Sequence, residues 1–420
     1  MTLARERVAD LAGILAALVL VATWIPARAQ ESSEPPPDPR AAGKSFGALV
    51  RELEAKNWVP PYFPGRVTVF DPVEEDRRLR EMAAEPATVL EVGMYSYKVS
   101  PKRAEEGRRL FYLYDFGTAD NWRASERYMF YAAGAATAED LRAKFGVLIE
   151  PRGHLIGLVG MPSPDGRVDY GWSCALCHAA IAPDGTVVTG APNHAYDNGR
   201  FRHRGLVEHN PHPAFVTAGY VDRDVPVEHL VTQGPGRMDR NSDRVENPVK
   251  IPPLWGLKSI KSGLYANGTG ANFWFALARH NGGVHPASEY MEALIAYLLT
   301  LEPPPNPRPK GAAETRGEEV FKRSGCASCH SGMDYTSGEV VPVEVVGTDP
   351  ARVKQEFPKA YRVPTLRRLD LQRLYLHDGS VTTLGDLFSR ARFAKVKGHA
   401  YGIDLTEGEK KDLVAFLLSI

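Results

Sequence analysis

The chain has 420 residues, of which 43% are hydrophobic and 24% charged, with 51 basic and 51 acidic side chains and no net charge. This is a globular composition with room for two or three domains. It supplies neither the basic field that draws nucleic acid nor an anionic field for basic partners, so no nucleic-acid partner is expected.

The N-terminus has the make-up of an export signal. Arg5 and Arg7 precede the apolar run "LAGILAALVLVATWI", and "ARA" at 27–29 offers small residues at a cleavage site. The run of 15 residues is shorter than the roughly 17 to 25 that cross a bilayer, so residues 1–29 are expected to be a cleaved signal peptide, with no stable membrane insertion and a periplasmic location. Residues 30–44, "QESSEPPPDPRAAG" and the lysine after it, have the composition of a flexible tether. "NWVPPYFPGRVTVFDP" carries too many prolines for a helix and is expected to form a clamp or short strands.

"YGWSCALCHAAIAP", residues 170–183, places Cys174 and Cys177 three apart with His178 directly behind. The same arrangement returns as Cys326, Cys329 and His330, and no other cysteine exists in the chain. A redox dithiol needs no following histidine. A four-thiolate zinc ribbon separates its pairs by roughly 12 to 20 residues, whereas 148 residues lie between these. Either alternative leaves both histidines idle. Covalent haem uses all six residues: each cysteine forms a thioether to a vinyl group, and His178 and His330 are placed to ligate iron. Two covalently bound haem c groups are therefore expected.

Each motif has similar company. "AEEGRRLF" at 104–111 resembles "TRGEEVF" at 315–321; "VKIPPLWGLKSIKSGLYANG" resembles "YRVPTLRRLDLQRLYLHDG"; "ALIAYLLTL" at 293–301 resembles "DLVAFLLSI" at 412–420, both with apolar residues at helical spacing. The expected fold is mainly α: two tandem cytochrome c-type haem domains, residues 45–302 and 311–420, joined by a stiff proline-rich linker at 303–310. The first is enlarged by its N-terminal extension and by about 60 residues between "EEGRRLF" and Cys174, which include "NWRASERYMFYAAG" and are expected to build a roof or wall.

These features resemble the bacterial dihaem cytochrome c peroxidase superfamily, which includes dihaem oxidases of the methylamine-utilisation type. The "VPTLRRLDLQRLYLHDGSVTTLGDLF" segment carries much of the likeness. "GHAYGIDLTEGEKKDLVAFLLSI", the "GWSCALCH" and "GAPN" region and the long extension are closer to the branch containing dihaem rubber oxygenases. The resemblance covers roughly residues 100–420. It implies a mostly helical periplasmic protein that moves electrons between two haems. Some members hold calcium between the domains, though no acidic cluster in the sequence marks such a site.

The sixth ligand decides what each iron does, since an iron closed by two protein ligands passes electrons and an open one binds peroxide or oxygen. The resemblance implies a methionine after "YLHDG", but the last methionine is Met333, beside His330. His399, in "KGHAYG" before the final helix, is the distal candidate for the second haem. His377 of "HDG" is expected to be structural. For the first haem, His280 of "HNGG" matches His399 in position relative to the closing helices, and His194 of "GAPNH" suits the detachable ligand of the peroxidases. An open iron is the third alternative. "HDG" becomes Ala266-Asn267-Gly268 in the first repeat, flanked by Trp255 and Trp274, either core residues or electron relays.

The expected function is a dihaem c-type oxidoreductase, peroxidase-like, reducing hydrogen peroxide with electrons from a small periplasmic cytochrome c or cupredoxin. The alternatives are an oxygenase or oxidase acting on an organic or protein substrate, and a plain electron carrier.

Overall fold

A computed structural model of the chain describes residues 66–69, 71–114, 138–162, 168–201, 230–238, 248–261, 273, 288–349 and 359–420. The export signal, the tether, "NWRASERYMFYAAG", Ala266-Asn267-Gly268, Trp274 and His280 lie outside these. Among the described residues helix outweighs strand, and no helix is long and apolar enough to cross a membrane.

The longer helices are α1 (Pro72–Ala84), α2 (Pro101–Leu113), α3 (Ala138–Phe145), α4 (Ser288–Thr300), α5 (Ala312–Arg323) and α6 (Glu407–Ser419). Their starts are written locally. Asp71 accepts hydrogen bonds from the Val73 and Glu74 amides, with Pro72 in the first turn. Ser100 does the same for the Arg103 amide, followed by Pro101. Thr406 and Glu409 satisfy each other's backbone amides in a capping box.

Two helix pairs carry the internal repeat. α2 crosses α4 at Gly107, where an added Cβ would lie 1.9 Å from the Ala293 carbonyl oxygen and 2.6 Å from Tyr297 Cβ. α5 crosses α6 at Gly317, where it would lie 2.0 Å from the Asp412 oxygen and 2.7 Å from Phe416 Cβ. Four residues on, Phe111 meets Tyr297 edge to face with centroids 5.5 Å apart, and Phe321 meets Phe416 at 5.4 Å. Glycine permits the close backbone approach and the aromatic one turn later seals it. "GRRLF" and "GEEVF" are thus one packing device used twice, each centred in its own hydrophobic core.

The first repeat adds β-structure that helical periodicity does not foretell. β1 (Arg66–Val69) pairs in parallel with β4 (His154–Pro162), which pairs antiparallel with β5 (Val168–Trp172). β2 (Thr88–Val92) and β3 (Tyr95–Val99) form a hairpin between α1 and α2. "RVTV", in the proline-rich stretch, is therefore a short strand. β5 runs straight into the first C-x-x-C-H, which β6 (Ala179–Ile181) and β7 (Val187–Thr189) follow as a hairpin.

The segment between the repeats is tied to the second repeat by hydrogen bonds. Arg368 donates to the Pro304 and Pro305 carbonyls, and the Asn306 side chain donates to those of Leu418 and Ile420. Further on are the two-residue strands β8 (Arg237–Met238) and β9 (Val249–Lys250), then β10 (Val340–Pro342) paired with β11 (Ala360–Arg362).

Candidate functional site

Each C-x-x-C-H sits on one tight helical turn, Cys174–Cys177 in the first repeat and Cys326–Ser328 in the second. The His178 amide bonds to the Cys174 carbonyl at 3.0 Å, and the His330 amide to that of Cys326 at 3.0 Å. The turn thus presents two thiols and one imidazole from a five-residue stretch. None of the four cysteines is in a disulfide, and all are half-buried. Among the described residues no group of three or more His, Cys, Asp or Glu side chains converges as a metal cage, so the two pairs do not form one four-thiolate zinc site. Burial pushes the Cys174 thiol up to about 12 and raises that of Cys326 as well. A redox dithiol works through a thiolate of lowered pKa, so this environment is the wrong one for it.

The histidines are oriented alike. His178 Nδ1 lies 3.1 Å from the Pro252 carbonyl, and His330 Nδ1 lies 3.2 Å from that of Pro364 and 3.1 Å from that of Tyr335. A carbonyl only accepts, so Nδ1 carries the proton in both rings and Nε2 keeps its lone pair. Burial holds His178 down to about 4 and lowers His330, keeping both neutral. A neutral imidazole with Nδ1–H anchored on a carbonyl is the form that ligates a metal through Nε2.

Pro252 and Pro364 are equivalent positions of the repeat, "KIPPLWGL" and "RVPTLRRL". Four residues on, Gly256 and Arg368 both adopt left-handed backbone, φ 74° and 54°, and each opens a single 3-10 turn. Sequence reading matched these segments without finding their task, which is to aim the histidine. The proline carbonyls leave no mark in residue type beyond the shared "P".

Opposite His330, the structure places His399. The two ring centroids are 6.5 Å apart with planes inclined at 54°. Two imidazoles on opposite sides of one metal, each at about 2.0 Å through nitrogen, have centroids roughly 6 Å apart, so the gap fits a single iron. His399 Nδ1 is buried without a hydrogen-bond partner, and burial together with His330 and Arg392 takes its pKa down to about 4. Met333, by contrast, is exposed on the surface. His377 does not face this gap: its ring stacks on Tyr361 at 4.5 Å, and its Nδ1 lies 3.3 Å from the Thr348 hydroxyl.

His194 lies between the repeats. Its Nε2 accepts the Arg373 amide at 3.1 Å, while Nδ1 is buried with no partner. Its lone pair is thus engaged by the second repeat rather than directed at a metal. Burial, then the charges of Lys250, Arg373 and Arg237, lower its pKa to about 4. Around it the halves interlock: Lys250 donates its amide to the His377 carbonyl, and Arg237 donates to those of Asp378 and Gly379. Trp255, only 1% exposed, donates its indole N–H to the Arg367 carbonyl at 3.1 Å. Trp255 stands three residues beyond Pro252 and Arg367 three beyond Pro364, so this bond joins the segments that hold the two histidines.

The β-sheet reaches the first motif. At Gly157 of β4, φ 82°, an added Cβ would come within 2.1 Å of the Leu176 amide nitrogen, and the Ser173 amide bonds to the Gly157 carbonyl. The residues present at both motifs fit a covalently attached haem: paired thiols outside any disulfide, an oriented neutral histidine and, in the second repeat, an orphaned imidazole across the gap.

No family profile matches the chain. The methylamine utilization protein MauG of Methylorubrum extorquens is 29% identical over 120 residues, covering 26% of this chain and 34% of that protein, so the match spans about a third of that relative's length. Among solved structures, a hydrazine synthase chain of Kuenenia stuttgartiensis superposes with a TM-score of 0.35 at 21% identity, over 46% of this chain and 79% of that one. A MauG-like protein associated with microbial copper homeostasis superposes with a TM-score of 0.32 at 19% identity, over 41% of this chain and 72% of that one.

Proposed function

We propose that the protein is a periplasmic dihaem c-type oxidoreductase of the peroxidase-like kind. One observation carries this: both C-x-x-C-H turns set a neutral histidine with Nδ1 bonded to the carbonyl of an equivalent proline, leaving Nε2 free, on a duplicated helix scaffold. The local likeness to MauG is in keeping with it. Haem iron supplies one-electron transfer and, where a coordination position is open, binding of peroxide or oxygen.

In this reading Cys174, Cys177 and His178 hold the first haem, and Cys326, Cys329, His330 and His399 the second. Two histidine ligands commit the second site to electron transfer and favour a lower potential than a histidine–methionine pair. The first repeat, with its added sheet against the motif, is where peroxide is met. The net reaction is reduction of hydrogen peroxide to two waters with two protons and two electrons, the electrons coming from a small periplasmic cytochrome c or cupredoxin. Trp255, hydrogen-bonded across the halves, is the candidate link between the sites. The sheet next to the first motif also favours a second reading, an oxygenase or oxidase whose organic or protein substrate is bound by that added structure.

The test is protein produced with a c-type cytochrome maturation system. Mass and the pyridine haemochrome spectrum are expected to give two haems per chain, and electron paramagnetic resonance one low-spin site inert to cyanide and one that binds it. A single haem, or zinc in its place, overturns the cofactor assignment. Two cyanide-inert low-spin sites would make the protein an electron carrier.

A further inference from the structure

The stretch that presents His399 is not held by regular secondary structure. It lies between the short helix Arg390–Lys395 and α6, and its backbone is left-handed at two successive residues, Gly398 with φ 100° and His399 with φ 50°. A β-carbon disfavours that region, so a histidine does not stay there unless its surroundings impose it. One side chain gathers the stretch. Arg392, 8% exposed, donates through Nη1 to the carbonyls of Gly398 at 2.6 Å and Val396 at 3.2 Å. Through Nη2 it donates to those of Leu387 and, at 3.3 Å, His399 itself. Four carbonyls from one loop and the preceding turn thus converge on one guanidinium. Among the described residues no carboxylate forms an ion pair with it, and its Nε has no partner. A buried cation without a counter-charge is costly, and this one is offset only by backbone dipoles. The opposite side of the loop is a wall: an added Cβ on Gly398 would lie 2.7 Å from Thr348 Cβ, and the His399 amide donates to the Val346 carbonyl at 2.9 Å.

We propose that Arg392 is the positioning residue for the distal ligand of the second haem, its planar fork clamping the left-handed Gly398–His399 turn against Val346 and Thr348 so that the His399 imidazole stays opposite His330. This rests on the reading of His330 and His399 as a ligand pair. The clamp makes the second site a closed one. A lysine replaces it only in part, because a point ammonium keeps the charge but does not span four carbonyls as a fork does.

The test uses full-length protein carrying both haems, with Arg392→Gln, Arg392→Lys, Gly398→Ala and His399→Ala. Arg392→Gln is expected to move one haem from low-spin to a low-spin/high-spin mixture. It is also expected to open that haem, inert in the unaltered protein, to cyanide, since loss of a charge-assisted hydrogen bond frees the distal ligand about tenfold more often. Added imidazole restores the low-spin spectrum. Gly398→Ala, which disturbs the loop from the Thr348 side, gives the same signature with Arg392 intact. Arg392→Lys keeps the charge and gives a smaller change of the same kind, and it serves if the glutamine variant does not accumulate. His399→Ala reproduces the full spectral change, and adding Arg392→Gln to it produces no more. If Arg392→Gln or Arg392→Lys lowers the thermal midpoint while that haem keeps its low-spin spectrum and its inertness to cyanide, Arg392 is structural only and the positioning role is overturned. If His399→Ala leaves the spectra unchanged, the ligand pairing itself fails and the clamp falls with it.

Discussion

A histidine's usefulness to a metal is set by what its other nitrogen does, and here a proline carbonyl does it twice. "CxxCH" was legible because residue type and spacing carry it. The acceptors at Pro252 and Pro364 were not, because a backbone carbonyl has no residue identity. Trp255 was visible as an aromatic beside the repeat, and the structure gives its indole one partner across the halves. Trp255→Phe leaves the Arg367 carbonyl without its donor and is expected to cost about 1–2 kcal/mol of stability, measured by denaturant unfolding. If the indole also links the two sites, electron equilibration between the haems slows in stopped-flow reduction; an unchanged rate assigns Trp255 to the core alone. His194 gives a pH test. Its folded pKa is depressed from 6.5 to about 4, so in that window the unfolded chain takes up a proton that the folded chain does not. Stability therefore falls as pH falls from about 6.5 toward 4. Thermal midpoints across this range should drop, and His194→Gln should flatten part of the slope.

Among elements, the crossing helices were the most readable and the strands the least, for one physical reason. α2, α4, α5 and α6 record their buried faces at i, i+4 spacing within a few residues, so "GRRLF" and "GEEVF" show the crossing by themselves. β1 depends on a partner far along the chain at β4, and nothing in "RVTV" names it. The clamp at His399 was unreadable for a similar reason: Arg392 looks like any surface arginine until its four carbonyls are folded around it. The crossings can be tested singly. Gly107→Ala and Gly317→Ala each drive a methyl into a facing backbone carbonyl, at 1.9 and 2.0 Å, where no rotamer offers escape. Each is expected to cost about 2–3 kcal/mol by overpacking. Gly107→Ala should perturb the spectrum of the first haem and Gly317→Ala that of the second. Equal perturbation of both haems by either variant would mean that the two scaffolds are not separate.

Among the described residues the halves are unequal, the second made of helices, short turns, one two-stranded sheet and a clamped loop, the first bearing a three-stranded sheet against its motif. On the proposed function the reactive iron belongs to the first repeat. Replacing His178, with haem still attached, should abolish peroxide turnover. Replacing His330 should leave ligand binding at the first haem and slow its reduction by an external donor. The reverse pattern in steady-state and cyanide-titration assays would exchange the two roles. The sequence offered His280 and His194 as distal ligands of the first haem; His280 lies outside the described residues, and His194 is bonded to Arg373. The interlock around His194 has a bearing on how the protein is made. Trp255 bonds to Arg367, Arg237 to Asp378 and Gly379, and Lys250 to His377, so the segment that aims His178 is braced by residues that lie more than a hundred positions later in the chain. Such distant contacts form late and slowly. Until those contacts form, the segment that carries the Pro252 carbonyl, the acceptor for His178, lacks its brace. On the proposed function, haem joined to the first motif before the second repeat docks meets a His178 whose orientation is not yet fixed, and docking of that repeat then fixes it.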